Sequence, residues 1–232
     1  MEVGMNLQPL ASRRGSSTHF EALGRGIFPD GTVLSPPAFV GELESVAAFD
    51  LAVANLALSV AAKYRSISIS INASEELLSN EFLVNTLIRN IHRSGVRTKR
   101  ICVEVLEECN LNLDGEVVHN MIRLANAGIC FALDDVPCCR QAEDVFRLLR
   151  HPSISAIRRG CRVKLDKGAL IDHLLDSPCE VKWYIREIHT AGFLVIAEGV
   201  ETAAQFELLL KLGADYQQGY YIGKPVHPSL LH

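Results

Sequence analysis

Two hydrophobic periods take turns along the chain. Residues 67–71 read Ile-Ser-Ile-Ser-Ile, a period of two that ends on Asn72, as expected for a strand with one apolar face. Residues 49–64 instead carry apolar side chains at helical spacing, which predicts a long, well-buried helix. The same switch recurs along the chain. Strands are expected over 5–10, 19–23, 100–105, 129–133, 193–197 and 215–221. Helices are expected over 74–80, 81–94, 116–127, 142–150, 181–191 and 203–212. Ser35-Pro36-Pro37 is expected to open a helix, with proline in its first turn. Residues 154–157 and 161–165 are both strand-like, separated by Arg158-Arg159-Gly160.

Strands that alternate with helices and are apolar on both faces indicate parallel βα units. About eight of them in one chain of this length favour a TIM-like (β/α)8 barrel over an open doubly wound sheet. The open sheet would also carry a Gly-x-Gly-x-x-Gly turn after its first strand, and this sequence has none there. One domain is expected over residues 1–232.

Hydrophobic residues make up 48% and charged residues 22%, a balance that suits a globular protein with a sizeable core. The formal net charge of −4 gives no bulk drive toward nucleic acid. The densest basic stretch is Arg158-Arg159 with Arg162 and Lys164. The seven cysteines contain no paired Cys-x-x-Cys units, which argues against zinc and for free thiols. The eight histidines are scattered and read mostly as surface or capping residues. No leader-like run opens the sequence, and the longest apolar run, 47–62, is interrupted by Asp50 and Asn55. A cytoplasmic protein is expected.

Several expected strands end on polar residues. In a barrel those ends converge on one face, which would gather Glu21, Asn72, Glu104, Asp134, Asp135, Lys164, Glu198, Glu201 and Gln218. A single charge at one strand end is most simply a surface residue; its recurrence across most strands is the signal. The ligand atoms are almost all oxygens, a set suited to Mg2+ or Mn2+ rather than zinc or copper. So many carboxylates repel one another unless cations neutralise them, and their number points to a pair of ions. Paired metals are the usual arrangement for phosphodiester hydrolysis, with the lysine activating water or stabilising charge on phosphate. Paired carboxylates on a barrel also suit glycoside hydrolysis. That chemistry usually adds an aromatic sugar platform, and the single Trp183 falls in a helix.

The segments Phe20-Glu21-Ala22-Leu23, Ser70-Ile71-Asn72, Val103-Glu104, Leu133-Asp134-Asp135, Lys164-Leu165-Asp166, Ala197-Glu198-Gly199-Val200-Glu201-Thr202 and Gln218-Gly219-Tyr220 resemble, in this order, the motif set of EAL domains. These are bacterial phosphodiesterases that hydrolyse cyclic di-GMP to linear pGpG. The resemblance runs from about Leu7 to Pro225. It implies a TIM-like barrel whose first strand runs antiparallel to the rest, and a homodimer. It implies metal ligands at Glu21, Asn72, Glu104, Asp134 and Asp135, with Lys164 near the catalytic water and Glu198 as a further metal or water contact. Glu201 and Gln218 match supporting or substrate positions. Gln8, Leu23 and Arg25 match positions that contact the dinucleotide, and a bidentate guanidinium at Arg25 suits phosphate.

Two departures stand out. After Asp134-Asp135 the family usually has Phe-Gly-Thr-Gly-Tyr-Ser-Ser; here the chain reads Val136-Pro137-Cys138-Cys139-Arg140-Gln141. Losing both glycines and gaining a proline changes what the backbone can adopt. Glu107 matches the glutamate that usually anchors this loop. The spacing from Asp135 to Lys164 is also longer than the family norm, and Lys167 stands where an arginine is common. Two readings follow: a Mg2+- or Mn2+-dependent cyclic di-GMP phosphodiesterase, or a weakly active or inactive cyclic di-GMP-binding regulator. The regulator would act through dimerisation, a protein partner or DNA, with residues 158–164 as its partner surface.

Overall fold

The computed structural model describes residues 1–15, 18–136, 143–155, 158, 160–166, 168, 170 and 177–231. Strands β1 (Glu2–Ser12) and β2 (His19–Ile27) pair antiparallel from Glu2↔Ile27 to Leu10↔His19. The short β3 (Val33–Leu34) adds to the far end of β2. From β2 a parallel run continues through β4 (Ser68–Ala73), β5 (Ile101–Val105), β6 (Cys130–Val136), β7 (Arg162–Leu165), β8 (Leu194–Ala197) and β9 (Tyr216–Gln218). β9 returns to β1 in antiparallel register and closes the ring. The barrel is therefore TIM-like, with β1 running against the strands that complete it.

Helices α1 (Val46–Lys63), α2 (Glu75–Leu78), α3 (Glu81–Arg93), α4 (Glu116–Asn126), α5 (Glu143–Arg150), α6 (Pro152–Ser155), α7 (Pro178–Ala191) and α8 (Ala203–Leu212) join the strands among the described residues. By length and composition alone α1 could cross a membrane. Its Ala47, Val53, Ala57 and Ala61 are instead buried in the core, and the helix packs on β1, β2 and β4. It starts before residue 49 because its first turn is capped twice. Ser45 Oγ accepts from Ala48 N–H at 3.1 Å, and the Glu76 carboxylate, from α2, accepts from Val46 at 2.8 Å and Ala47 at 3.2 Å.

Four expectations change. The Pro36-Pro37 segment forms short 3-10 turns at Pro36–Ala38 and Val40–Glu42 rather than the start of a long helix. Ile154 lies in α6, not in a strand; Pro152 cannot continue α5 but suits the first turn of a new helix. The last strand is limited to Tyr216–Gln218. The basic stretch 158–164 is not one surface, because β7 turns Arg162 and Lys164 into the barrel at 9% and 2% exposure. Arg159, Lys167 and the altered segment at 137–142, including Cys138 and Cys139, lie outside the described residues.

Strand alternation explains the unusual interior. Ile69, Ile71, Val103 and Val163 join the core under the helices, while Ser70, Asn72, Glu104, Arg162 and Lys164 meet residues of other strands inside the ring. The apolar faces of the strands point outward, and the polar faces fill the barrel.

Candidate active site

Lys164 is the hub. Its Nζ lies 2.6 Å from Asp134 Oδ1, 2.7 Å from Glu104 Oε2, 3.1 Å from Glu198 Oε1 and 3.6 Å from Glu21 Oε2. Four strands thus deliver carboxylates to one ammonium delivered by a fifth. Glu21 is held from two sides, by Asn72 Nδ2 donating to Oε1 at 3.1 Å and Gln218 Nε2 donating to Oε2 at 2.7 Å. β6 presents its two acids through an irregularity between Leu133 and Val136, where Asp135 has φ 45° and its N–H donates to Asp134 Oδ1 at 3.1 Å. Asp135 therefore faces Asp134 and Glu198; oxygens of all three lie within 4.8 Å of one another.

The charges are unevenly settled. Burial pushes Glu21 up, but Lys164 and the amides of Gln218 and Asn72 outweigh it and leave its carboxyl below the usual value. Glu104 is driven up to about 7 by burial and by Glu21, against the pull of Lys164. Burial also raises Asp134 and lifts Glu198 well above the carboxylate range. Burial alone would lower Lys164, yet Glu104, Glu21, Glu198 and Asp134 hold it well above the usual lysine value. One ammonium does not neutralise this many acids.

Three buried oxygens in the layer, Asn72 Oδ1, Glu104 Oε1 and Gln218 Oε1, have no hydrogen-bond partner among the described residues. Orphaned acceptors beside excess carboxylate are what a hard cation needs, so the residues fit Mg2+ or Mn2+. Glu21, Asn72, Glu104, Asp134, Asp135 and Glu198 are the side chains that would hold it.

Above the layer opens a cleft with two lobes. The first, about 420 Å³, reaches Lys164, Asp135, Glu198, Glu201 and Gln218. The second, about 670 Å³, is more apolar and reaches Arg25, Phe49, Val53 and Leu106. Gln8, Glu21, Leu23, Asp134 and Tyr220 line both. Arg25 Nη1 donates to the carbonyls of Gly24 at 2.7 Å and Leu23 at 3.4 Å, which leaves the rest of its fork available in the second lobe. Glu201 is exposed at the rim, and its N–H donates to Gln205 Oε1 at 2.8 Å. Glu107 is exposed beyond β5 and lines neither lobe.

Two glycines shape the rim. Gly199, at φ 69°, turns the chain between Glu198 and Glu201. A Cβ on Gly219 would lie 2.1 Å from Val200 O, so only glycine lets these two segments pass.

Sequence reasoning passed over Tyr220, which walls both lobes although its motif had been singled out. It also missed a second polar layer two residues earlier on the same strands. There Arg162 Nη1 lies 2.9 Å from His19 Nε2, which lies 2.8 Å from Ser70 Oγ. The guanidinium stacks 4.8 Å from the Tyr216 ring centre. His19, the first residue of an expected strand and given no role there, is buried, and burial, Arg162 and Lys164 hold it well below the usual histidine value. Strand alternation was the available signal, since His19, Ser70, Arg162 and Tyr216 sit two positions before Glu21, Asn72, Lys164 and Gln218.

Known proteins share this architecture. The EAL enzyme Bd1971 in its cAMP- and cyclic di-GMP-bound form superposes with TM-score 0.83 at 22% identity, over 98% of this chain and 63% of that one. BlrP1 of Klebsiella pneumoniae, in a complex with manganese and cyclic di-GMP, gives TM-score 0.80 at 21% identity, over 98% and 57%. These likenesses speak to the fold. Among curated sequences, the probable cyclic di-GMP phosphodiesterase PdeA of Escherichia coli K12 is 27% identical over 228 residues, covering 94% of this chain and 30% of that protein. The chain spans less than half the length of the curated relatives it matches. The family model for the EAL domain matches residues 1–225, and the chain belongs to that family.

Proposed function

We propose that this domain hydrolyses cyclic di-GMP to linear pGpG with Mg2+ or Mn2+, using two ions. The observation that carries the reading is the acid layer itself. Excess carboxylate, one central ammonium and orphaned oxygens form the floor of a cleft whose second lobe holds an arginine. A two-lobed cleft suits a ligand with two bases joined by phosphates. When bound, divalent ions supply Lewis-acid polarisation of the phosphodiester and of the attacking water.

The chain's own residues do the rest. Asn72 and Gln218 fix both oxygens of Glu21, so its carboxylate cannot rotate away. Lys164 Nζ holds a proton among Glu104, Asp134 and Glu198 and steadies negative charge on phosphate. Glu198, at the open edge of the layer, is the carboxylate placed to take a proton from water. Arg25 grips a phosphate from the second lobe, Gln8 and Leu23 line the dinucleotide's path, and Glu201 and Gln218 support from the first lobe. The domain works in the cytoplasm, as a homodimer.

The altered sequence after Asp135 favours a second reading, a cyclic di-GMP-binding regulator that turns over slowly or not at all and acts through its dimer, a protein or DNA. Incubating the pure protein with cyclic di-GMP and Mg2+ or Mn2+ while following pGpG separates the two. The phosphodiesterase reading expects metal-dependent pGpG that Glu21→Ala abolishes. Binding without turnover establishes the regulator, and no binding in either metal removes both readings.

A further inference from the structure

A groove with the reverse charge lies between helices, beside the starts of β4 and β5. Between α1, α3 and the turn leading into β5 lie two spaces of about 520 and 380 Å³ that share Ala62 and Ser94. Their walls carry Arg65, Arg93, Arg97 and Arg100 and, among the described residues, no acidic one. Arg100 is already committed. It donates to the carbonyls of Ile67 at 2.6 Å and of Ala61 and Tyr64 at 2.7 Å, closing the end of α1. Besides burial, the nearby Arg97 holds Arg100 below the usual arginine value.

Arg65, Arg93 and Arg97 are exposed and form no ion pair among the described residues. A helix C-terminus attracts cations, and this accounts for Arg93 in the last turn of α3. It does not account for Arg65 and Arg97, which lie past the helix ends, where Arg100 has taken the carbonyls of α1. In a chain of net charge −4, a groove of guanidinium forks without an acid calls for an external anion. Among the described residues no aromatic side chain lines it, so they offer no surface on which a base could stack. Its size suits a small ligand rather than a folded partner.

We propose that this groove binds a compact oligophosphate, of the di- or triphosphate class, whether a free anion or the tail of a nucleotide. β4 and β5 begin beside the groove and end at Asn72-Ala73 and Glu104-Val105, so the groove and the acidic cleft can be filled at once. The inference is independent of cyclic di-GMP hydrolysis.

Calorimetric titration of the full chain with inorganic tripolyphosphate in EDTA is the test, because the chelator keeps cations from bridging phosphate to the acidic cleft. The expected result is one-to-one binding that weakens as salt rises from about 50 to 200 mM. Arg65→Glu with Arg97→Glu should lose at least about tenfold in affinity. Lys211→Glu, an exposed charge reversal on α8, should leave it within about twofold. Arg97→Gln, a neutral change at an exposed site, should lose affinity too and serves where the double variant fails to fold. Parallel titration with ATP assigns the source: equal affinity points to nucleotide tails, and weaker ATP binding to the free anion. No binding, equal losses in Lys211→Glu, or binding of a single-stranded oligonucleotide alone overturns the proposal.

Discussion

The same strands build two polar layers inside this barrel, and the layers differ in what they leave undone. The lower one, His19, Ser70, Arg162 and Tyr216, mostly satisfies itself: a neutral histidine meets a hydroxyl and a guanidinium, the guanidinium stacks on a ring, and one buried donor, Arg162 Nε, has no partner among the described residues. The upper one gathers Glu21, Glu104, Asp134 and Glu198 on a single lysine and leaves three buried oxygens without partners among the described residues. Both sit in the same low-dielectric ring, two residues apart. Buried polar groups settled among themselves make a scaffold; buried acids in excess of their cation make a binding site.

The sharpest way to break this contrast is Lys164→Met. The lysine is 2% exposed, and removing it leaves buried acids facing one another. Without metal the variant should lose about 3–5 kcal/mol of stability, read as a drop in the unfolding midpoint in EDTA. Mn2+ should restore much of the loss, because a divalent ion can take over the neutralising role. A variant that is destabilised equally with and without Mn2+ would show that the layer is not a metal site.

Glu21→Gln comes next in size. It keeps the shape of the side chain but removes the charge that Asn72 and Gln218 hold in place. Turnover of cyclic di-GMP should fall by at least about 100-fold, and the unfolding midpoint in EDTA should fall too, since the fold favours the ionised Glu21 and an amide would turn an N–H toward Asn72 or Gln218. An undiminished rate would remove Glu21 from the site. In the lower layer, Arg162→Met should lower stability by about 2 kcal/mol, through the lost contacts to His19 and Tyr216. It should leave Mn2+ affinity, measured by titration, within about threefold. A large change in metal affinity would mean the layers act as one.

The two layers were not equally legible in the sequence. The upper one was readable because polar residues close apolar strand segments, as Asn72 closes Ile-Ser-Ile-Ser-Ile and Glu198 closes the strand ending at Ala197. The lower one was hidden, since a histidine before a phenylalanine or an arginine before a valine looks like an exposed strand position until the ring closes around it. The antiparallel β1 was expected only from family resemblance; no local pattern in residues 2–12 states the direction of a strand. The early start of α1 depends on Glu76, 30 residues after Val46 in the chain, which no periodicity reports. The α6 turn was misread because a short apolar run such as 154–157 has no period to separate strand from helix. Arg65, Arg93 and Arg97 did not look like a cluster in the sequence, because α1 and α3 bring them together only in the fold.

Asp50 offers the cleanest scale for the rest, because it is a buried carboxylate with no lysine partner among the described residues. It accepts from Ser74 N–H at 2.9 Å, yet burial outweighs that bond and pushes its carboxyl up to about 6. An acid whose folded value lies above its unfolded value favours folding while protonated and loses that advantage as pH rises. The folded chain holds a proton that the unfolded chain has released between about pH 4 and 6, so the ionised Asp50 weighs against the fold above that window. Asp50→Asn keeps an acceptor for Ser74 and cannot ionise. Its stability relative to the parent should be near zero at about pH 3 and rise to about 3 kcal/mol at pH 7, read from paired denaturant titrations. A difference that stays flat with pH would show that burial without a cation is tolerated here. The raised carboxyls of the upper layer would then need a source other than its missing positive charge.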